Sequence, residues 1–270
     1  MPAAVVENVR RTLTPARLRN LLFLFLLVAA GGAVGSILAQ IGGCPLPCMR
    51  RTTLRENFDS VVPPALPADW LATNALGPPP LWVTSDSGVP SPPADTPPSA
   101  AFIDDPGVVS DKRLDSLSFS CFECCCTQLT FRQNFNLEAS EPDPTLGFDG
   151  GVLEFSTDGG NTFQDILAAG GSFVSGGYNR TISTDRGSPL AGRQAWSGNS
   201  GGFITTVVNI PTIKPPGGRL RWRIASDSSG SGEGWRVDSV EISWCQGPPC
   251  TPKPLPTPRP RPTPAPRPTP

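Results

Sequence analysis

The chain has 270 residues, including 34 prolines and 28 glycines, and it contains no histidine. The absence of imidazole excludes Ser-His-Asp triads, Cys-His pairs and His-ligated zinc. The formal net charge is −1, but acids outnumber bases between an Arg-rich start and a basic, Pro-rich end. A body without a basic stripe argues against nucleic-acid binding. The length allows one or two domains, and the position of the Pro-rich stretches predicts one compact region between them.

The N-terminal segment 1–40 predicts export. Arg-rich sequence precedes an apolar run from Leu21 to Ala39, and positive charge on the near side directs the following chain across the membrane. The run is short and dilutes into Ala and Gly, as in a secretory signal, yet it is long enough to remain as a transmembrane anchor. We therefore predict one apolar helix, cleaved or retained, and an extracellular or cell-surface location.

Eight cysteines follow this segment, the first two in a predicted Cys-containing linker over 41–54. Outside the cytoplasm an even number of cysteines predicts disulfide bonds. The stretch "CFEC" also has the spacing of zinc thiolate ligands, so a metal site is the alternative. The disulfide candidates are Cys44, Cys48, Cys121, Cys124, Cys125, Cys126, Cys245 and Cys250.

Alternating apolar residues predict strands from residue 114 onward. "QLTFRQNFNLE" (128–138) places its apolar side chains on one face. "GGVLEFSTDGGNTFQDI" (150–166) predicts two strands joined by an Asp-Gly-Gly turn. Short strands, frequent Gly and Pro turns and no helical periodicity after residue 40 predict an all-β, antiparallel β-sandwich over 55–247.

The C-terminal segment 248–270 is a Pro-rich repeat. Proline lacks the backbone donor that a strand or helix requires. We predict a disordered tail of extended polyproline II conformation, which would serve as a spacer.

The stretch "STDGGNTF" (156–163) fits the Asp-box pattern known from sialidases. In such a box the Ser and Asp side chains bond to the amides of a hairpin turn. A sialidase would also need a tyrosine nucleophile and an arginine cluster, and the only tyrosine is Tyr178. The box is interpreted as a folding device.

Three motifs occur in the order found in one family: "ENFDSVVPPALPADW" at the start, "DGGVLEFSTDGGNTFQDI" in the middle and "GEGWRVDSVEI" at the end. Together with "PLAGRQAWSGNSGGF", they resemble the MAM-like jelly-roll modules of bacterial secreted proteins, as found beside immune-inhibitor-A-like metallopeptidases. The resemblance covers roughly residues 55–244 and implies a jelly-roll-type sandwich. The metallopeptidase motif HExxH is absent, so the resemblance implies an accessory module and no enzyme.

The last strand, "GWRVDSVEISW" (234–244), places Asp238 where the alternation breaks. In jelly-roll carbohydrate-binding modules a terminal-strand Asp often ligates a structural Ca²⁺ with an acid of the first strand. That resemblance implies Glu56 or Asp59 as a second ligand, with Asp104 and Asp105 offering further oxygens of the kind calcium prefers. The alternatives are a bulge that turns Asp238 outward, or hydrogen bonds from loop amides.

A row of arginines alternates with apolar residues in "RLRWRIASD". Arg221 and Arg223, with Arg219, could bind an anionic sugar or an acidic partner. The alternative is cross-strand pairing with acids such as Glu154 or Glu241. The acidic stretch "SDSSGSGEG" (226–234) matches no EF-hand and is interpreted as a flexible connection at the rim of a ligand site.

Lectin-like sites use aromatic platforms on loops, which makes Tyr178, Trp196 and Trp235 candidate ligand contacts. We predict an exported, surface-associated, non-catalytic binding or adhesion module that binds an extracellular glycan or surface protein. The alternative is a structural or accessory protein-interaction domain of a secreted, metallopeptidase-like multidomain assembly. A two-carboxylate glycosidase ranks last, because Asp104 and Asp105 are adjacent and cannot take opposed roles.

Overall fold

A computed structural model describes residues 49–121, 125–213 and 215–246. Sixteen strands and no helix occur in these ranges, which confirms the all-β prediction. Nothing in the described ranges is a helix with the length and hydropathy to span a bilayer. The predicted N-terminal apolar helix and the predicted Pro-rich tail lie outside the described residues.

The larger sheet has eight strands and is centred on two long ones, β6 and β16. Its strand order is β10–β14–β6–β16–β4–β3, while β1 also pairs with β16 and β13 with β6. These strands are β1 (Met49–Glu56), β3 (Val83–Ser85), β4 (Ala100–Ile103), β6 (Cys125–Leu137), β10 (Ser172–Ser175), β13 (Gly198–Asn199), β14 (Ile204–Asn209) and β16 (Gly234–Gln246).

The second sheet has five strands in the order β2–β5–β15–β8–β9, and a third, small sheet has the order β12–β11–β7. These strands are β2 (Leu71–Leu76), β5 (Ser110–Asp115), β7 (Leu146–Gly147), β8 (Gly150–Ser156), β9 (Gln164–Asp165), β11 (Arg180–Ile182), β12 (Gln194–Ala195) and β15 (Arg219–Ser226). The pair of β7 and β11 is parallel, and the pairs within the two larger sheets are antiparallel.

The two larger sheets share one hydrophobic core, so the molecule is an antiparallel β-sandwich as predicted. Phe131 of the eight-stranded sheet meets Trp222 of the five-stranded sheet edge to face, with ring centroids 5.5 Å apart. Both rings are fully buried, and each buried side chain of this size stabilises the fold by about 1.5–3 kcal/mol. The core thus fixes the positions of the strand ends around it.

The predicted strand patterns hold in detail. The four apolar residues of 128–138 that were assigned to one face are all buried. The stretch 150–166 forms the antiparallel pair β8 and β9. One boundary differs: the predicted linker over 41–54 ends in strand β1, because residues from Met49 onward pair with β16 and Leu54 is buried in the core.

Strand β16 is buried on both faces, which explains its broken alternation. The Pro-rich segment 86–98 covers the face that carries Arg236, and this side chain has no exposed surface. Its guanidinium donates to the carbonyls of Ser87, Val89, Pro90 and Pro93 at 2.6–3.0 Å. Burial lowers the pKa of Arg236 to about 10.

Three of the cysteines within the described ranges, Cys121, Cys126 and Cys245, are disulfide-bonded. Cys44, Cys48, Cys124 and Cys250 lie outside the described residues. The pairing of the eight cysteines therefore stays a prediction.

Candidate functional site

Asp238 lies at a bulge that does not turn it outward, so of the two alternatives the one with hydrogen bonds from loop amides fits the structure. The register between β16 and β6 shifts after this residue, and the next residue, Ser239, has a positive φ of 49°. The Asp238 side chain is fully buried, and its Oδ2 accepts the amides of Asp95 and Thr96 at 2.8 and 3.0 Å. Burial raises the pKa of Asp238, and these amide bonds oppose the rise. Loop amides therefore satisfy this carboxylate.

Of the other predicted calcium ligands, Glu56 lies beside this bulge, where it pairs with Val240 and lines a pocket with Thr96 and Ser239. Glu56, Asp59 and Asp104 are each held by their own donor: the Phe58 amide at 2.7 Å, the Ser99 amide at 2.9 Å and the Lys112 ammonium at 3.0 Å, respectively. Asp105 belongs to a different group of acids, described below. The predicted ligand set is thus divided among several places.

The three aromatic candidates belong to the core and do not form a ligand platform. Trp196 and Trp235 have no exposed surface. Their indole N–H groups donate to the Gly176 carbonyl at 2.8 Å and to Gln133 Oε1 at 3.0 Å. Tyr178 packs against Trp196 at 4.8 Å between ring centroids. The Gly-rich sequence around Tyr178 and Trp196 predicted exposed loops, but the two rings pack against each other within the sandwich.

The arginine row pairs with acids on neighbouring strands. Arg221 binds Asp115 in a bidentate manner at 2.6 and 2.8 Å, and Arg223 binds Asp111 likewise at 2.8 and 2.9 Å. Arg223 also donates to Glu154 at 3.1 Å, the cross-strand partner that the alternative named. We call the whole network the charge ladder: Asp111, Arg113, Asp115, Glu154, Asp165, Arg193, Arg221 and Arg223.

The positive and negative groups of the charge ladder neutralise one another. It contains four guanidinium groups and four carboxylates, and each carboxylate contacts at least one guanidinium. Burial acts to raise the pKa of Asp111, but hydrogen bonds and charge from Arg223 and Arg113 outweigh it and lower that pKa. Arg221 further stacks over the Phe163 ring at 3.6 Å. Arg221 and Arg223 are thereby committed to partners within the protein.

The Asp-box has the bonds expected of a folding device. Asp158 Oδ1 accepts the amides of Asn161 and Thr162 at 3.1 and 2.9 Å, and Ser156 Oγ accepts the Gly160 amide at 2.8 Å. Hydrogen bonds from Thr162 and Ser156 lower the pKa of Asp158. The turn between β8 and β9 is thus fixed by its own side chains.

A second group of charged residues lies where four strands begin or end. We call it the acidic cluster. Oxygens of Glu138, Asp149 and Asp227 lie within 4.8 Å of one another, and Asp105 adjoins them by accepting the Glu138 amide. Asp105, Glu138 and Asp227 lie just beyond β4, β6 and β15, respectively, and Asp149 lies just before β8. Pairing of β4 and β6 with the start of β16, and of β15 with β8, brings the four ends together.

One oxygen of each cluster carboxylate lacks a hydrogen-bond partner. These are Asp105 Oδ1, Glu138 Oε2, Asp149 Oδ2 and Asp227 Oδ2. In the three aspartates the other oxygen accepts backbone amides: Asp105 those of Glu138 and Gly232, Asp149 that of Asp227, and Asp227 that of Ser229. The backbone therefore orients the carboxylates and leaves their remaining oxygens without donors.

Burial of these acids changes their titration. Burial raises the pKa of Asp149, and the nearby Asp105 raises it further. Burial also raises the pKa of Asp105, and burial together with the charge of Asp227 raises that of Glu138. The cluster thus holds more negative charge than its surroundings neutralise.

An open groove of about 610 Å³ adjoins the acidic cluster. Its lining includes the end of β6 with Asn136 and Glu138, the loop residues Glu141 and Glu233, Arg180 of β11 and Asn199 of β13. One nitrogen of the Arg180 guanidinium donates to the carbonyls of Ser140, Asp143 and Leu146 at 3.1–3.3 Å. Amides, carboxylates and backbone groups therefore line this groove, and Glu138 belongs to both the groove and the acidic cluster.

The sequence interpretation missed three of the four cluster residues. Glu138, Asp149 and Asp227 are far apart in the chain, and no motif spacing relates them. The stretch 226–234 was set aside because it matches no EF-hand, yet Asp227 lies in the cluster. Its Ser231, Gly232 and Glu233 lie at the groove, in agreement with a place at the rim of a site. One sequence signal could have identified Glu138 and Asp227: each is an acid directly after a predicted buried strand.

Fold and site together define an all-β sandwich with an acidic cluster and a polar groove at one set of strand ends.

No protein-family model matches the chain, and no curated protein matches it. Among solved structures, the K1 cleaved adhesin domain of Lys-gingipain from Porphyromonas gingivalis W83 is similar, with 17% identity, 71% of this chain and 98% of that chain covered, and a TM-score of 0.43. TmCBM61 in complex with β-1,4-galactotriose is similar at 10% identity, with 65% and 88% covered and a TM-score of 0.36. The mannan-binding module TmCBM27 is similar at 11% identity, with 73% and 98% covered and a TM-score of 0.34. The function is therefore inferred from this chain's own residues.

Proposed function

We propose that the protein is an exported, non-catalytic, jelly-roll-type binding module that holds a saccharide in the polar groove. The main support for this proposal is the groove. It is open, and its volume of about 610 Å³ is within the range found for ligand sites. Asn136 and Asn199 offer amide groups that can both donate to and accept from hydroxyl groups. Glu141 and Glu233 add acceptors.

The charge of the groove indicates the kind of saccharide. Glu138, Glu141 and Glu233 line it with Arg180, and the Arg180 side chain already donates to three carbonyls. An anionic sugar would meet uncompensated carboxylates, and like charges in contact are unfavourable. We therefore expect neutral or amino sugars to bind better than sialylated or sulfated ones.

We also propose export, a disulfide pairing of the cysteines and a structural calcium, and these stand or fall separately from saccharide binding. The Arg-flanked apolar segment 1–40 supports export, and an oxidising compartment suits disulfide bonding. The calcium would need carboxylates other than Asp238, because amides already satisfy that residue.

A glycan array with the full chain in calcium-containing buffer tests this function. We expect binding to neutral or amino saccharides, and loss of that binding in the double variant Glu141→Ala/Glu233→Ala. The matched control, Asp86→Ala/Asp185→Ala, removes two exposed acids outside the groove and should bind as the wild type does. Absence of binding to every glycan, or equal binding by both double variants, would contradict the proposal.

A structural or accessory protein-interaction role is the second candidate, and one surface favours it. Strand β2 is an edge strand that pairs only with β5, and its Leu71 and Leu76 are 49% and 50% exposed. Exposed sheet edges can accept a strand from a partner. This role predicts no glycan binding and cell-surface crosslinks at β2 that are lost in Leu76→Lys.

A further inference from the structure

The acidic cluster places three buried aspartates together with the half-buried Glu138. Glu138, Asp149 and Asp227 have oxygens that all lie within 4.8 Å of one another. Asp149 and Asp227 are 0% and 1% exposed, and the Oδ2 atom of each lacks a hydrogen-bond partner. Since an unpaired buried charge is costly, the arrangement points to a positively charged occupant.

The donor set suits calcium. It consists of oxygens only, which are the ligands that calcium takes in sets of about six to eight at about 2.3–2.6 Å. Glu138, Asp149 and Asp227 bring three carboxylates together, and Asp105, which accepts the Glu138 amide, adds an Oδ1 atom that likewise has no hydrogen-bond partner. No thiol or imidazole contributes, so the chemistry disfavours zinc. Amides hold the opposite oxygens of Asp149 and Asp227 at 2.6 and 2.7 Å, which fixes the carboxylates before an ion arrives.

The cluster is joined to both walls of the groove. Asp105 Oδ2 accepts the Glu138 amide from one wall at 3.1 Å and the Gly232 amide from the other at 2.8 Å. Gly230, with φ +74°, lies so close to Glu138 that a Cβ at this position would overlap the carboxylate. A change in the charge of the cluster would therefore act directly on the loop 227–233 and on the end of β6.

We infer that the acidic cluster binds one Ca²⁺ through Asp105, Glu138, Asp149 and Asp227, and that the bound ion holds the two walls of the groove in place. Ligand binding in the groove then requires calcium. The requirement for ligand binding rests on the proposed function, whereas the cation site does not. The site is distinct from the terminal-strand position around Asp238.

Calorimetric titration of the full chain, stripped of metal, with CaCl₂ tests the site. We expect one binding event and a calcium-dependent rise in Tm. Mg²⁺ should have a smaller effect, because it demands a near-ideal octahedron and gives up water reluctantly. Asp227→Asn should weaken calcium binding on the order of tenfold or more, because ligand charge sets calcium affinity.

Asp238→Asn is the matched control, since it makes the same change at an equally buried aspartate. It should lower the Tm but keep the calcium-dependent rise, and Asp86→Asn at an exposed position should change neither. Should Asp227→Asn fail to fold, hydrogen exchange on the wild type decides: calcium should slow exchange of the backbone amides in 227–233 relative to EDTA.

The outcomes separate the two proposals. No heat and no change in Tm, or a calcium response lost in Asp238→Asn and kept in Asp227→Asn, would overturn the site. Glycan binding of equal strength in EDTA would overturn the calcium requirement and leave the proposed function. Calcium binding without binding to any glycan would overturn the proposed function and leave the site.

Discussion

The charge ladder and the acidic cluster contain the same kind of carboxylate at similar depth, yet the protein treats them in opposite ways. In the ladder Asp111 is paired with two guanidinium groups, at 2.8 and 3.0 Å. In the cluster Asp149 faces other carboxylates and has one oxygen without a donor. The pKa of Asp111 is lowered, and that of Asp149 is raised above its usual range by burial and by Asp105.

The difference distinguishes a structural network from a site. A ladder that is closed within the protein gains nothing from an added ion. If the acidic cluster binds an ion as we propose, the bound ion should stabilise the folded state. The alternation of Arg221 and Arg223 is a recognisable sequence pattern, whereas the carboxylates with unsatisfied oxygens follow no pattern in the sequence.

Breaking the ladder should have the largest effect. Asp111→Asn leaves Arg113 and Arg223 without their shared carboxylate, although Arg223 keeps Glu154. Because the Asp111 side chain is only 7% exposed, we expect the free energy of unfolding to fall by about 2–3 kcal/mol. Urea denaturation measures this, and the loss should be the same in calcium and in EDTA. A difference between the two buffers would mean that the ladder and the cluster are not separate.

The pH dependence of stability in EDTA should show both regions. A carboxylate with a raised pKa in the folded state destabilises that state above its usual pKa, so Asp105 and Asp149 predict that stability rises as the pH falls from about 8 to 5, by about 1–2 kcal/mol. Asp111, whose pKa is lowered in the folded state, predicts the opposite below about pH 4, where its stabilisation is lost as the unfolded state takes up protons. Unfolding curves across pH should therefore show a maximum near pH 4–5, and a monotonic loss of stability from neutral pH downward would contradict this.

Neutralising one cluster acid should stabilise the calcium-free protein. Asp149→Asn keeps the oxygen that accepts the Asp227 amide and places an N–H donor towards Asp105. We expect a gain of about 1 kcal/mol in EDTA and a flatter pH profile above pH 5, because this buried carboxyl no longer has to take up a proton or bear a charge when the chain folds. The same variant should lose the calcium-dependent rise in Tm. Destabilisation in EDTA would show that this carboxylate already has a partner.

Breaking an exposed ion pair should have the smallest effect on the free energy of unfolding. Arg55 and Glu241 lie 2.7 Å apart, with side chains 73% and 31% exposed. Arg55→Gln should cost no more than about 0.5 kcal/mol, because solvent screens such pairs. A thermal melt in low and high salt checks this, and a loss comparable with that of Asp111→Asn would contradict the distinction drawn from burial.

The sequence predicted what depends on local pattern. Alternation along 128–138 and the turn at Asp158 specified β6 and the β8–β9 hairpin, since side-chain period and turn chemistry are read over a few residues. The pairing of Arg223 with Glu154 was anticipated for the same reason. The bulge at Asp238 was recognised as an alternative, but its donors come from a Pro-rich segment 143 residues earlier in the chain.

What depends on long-range contact could not be predicted. Asp105, Glu138, Asp149 and Asp227 meet only because four strand ends are adjacent in the sandwich, and strand order is not written in local spacing. Trp196 occurs in a Gly-rich loop, which suggested an exposed platform. Its burial depends on Phe131 and Phe173, which pack edge to face against it. Composition gave no indication of which aromatic rings the core would enclose.

The most direct test of the central claim is anomalous scattering from crystals of the full chain grown with CaCl₂. The account predicts one strong peak among Asp105 Oδ1, Glu138 Oε2, Asp149 Oδ2 and Asp227 Oδ2, at about 2.3–2.6 Å from those oxygens. A map without a peak there, or with calcium bound beside Asp238 instead, would contradict it.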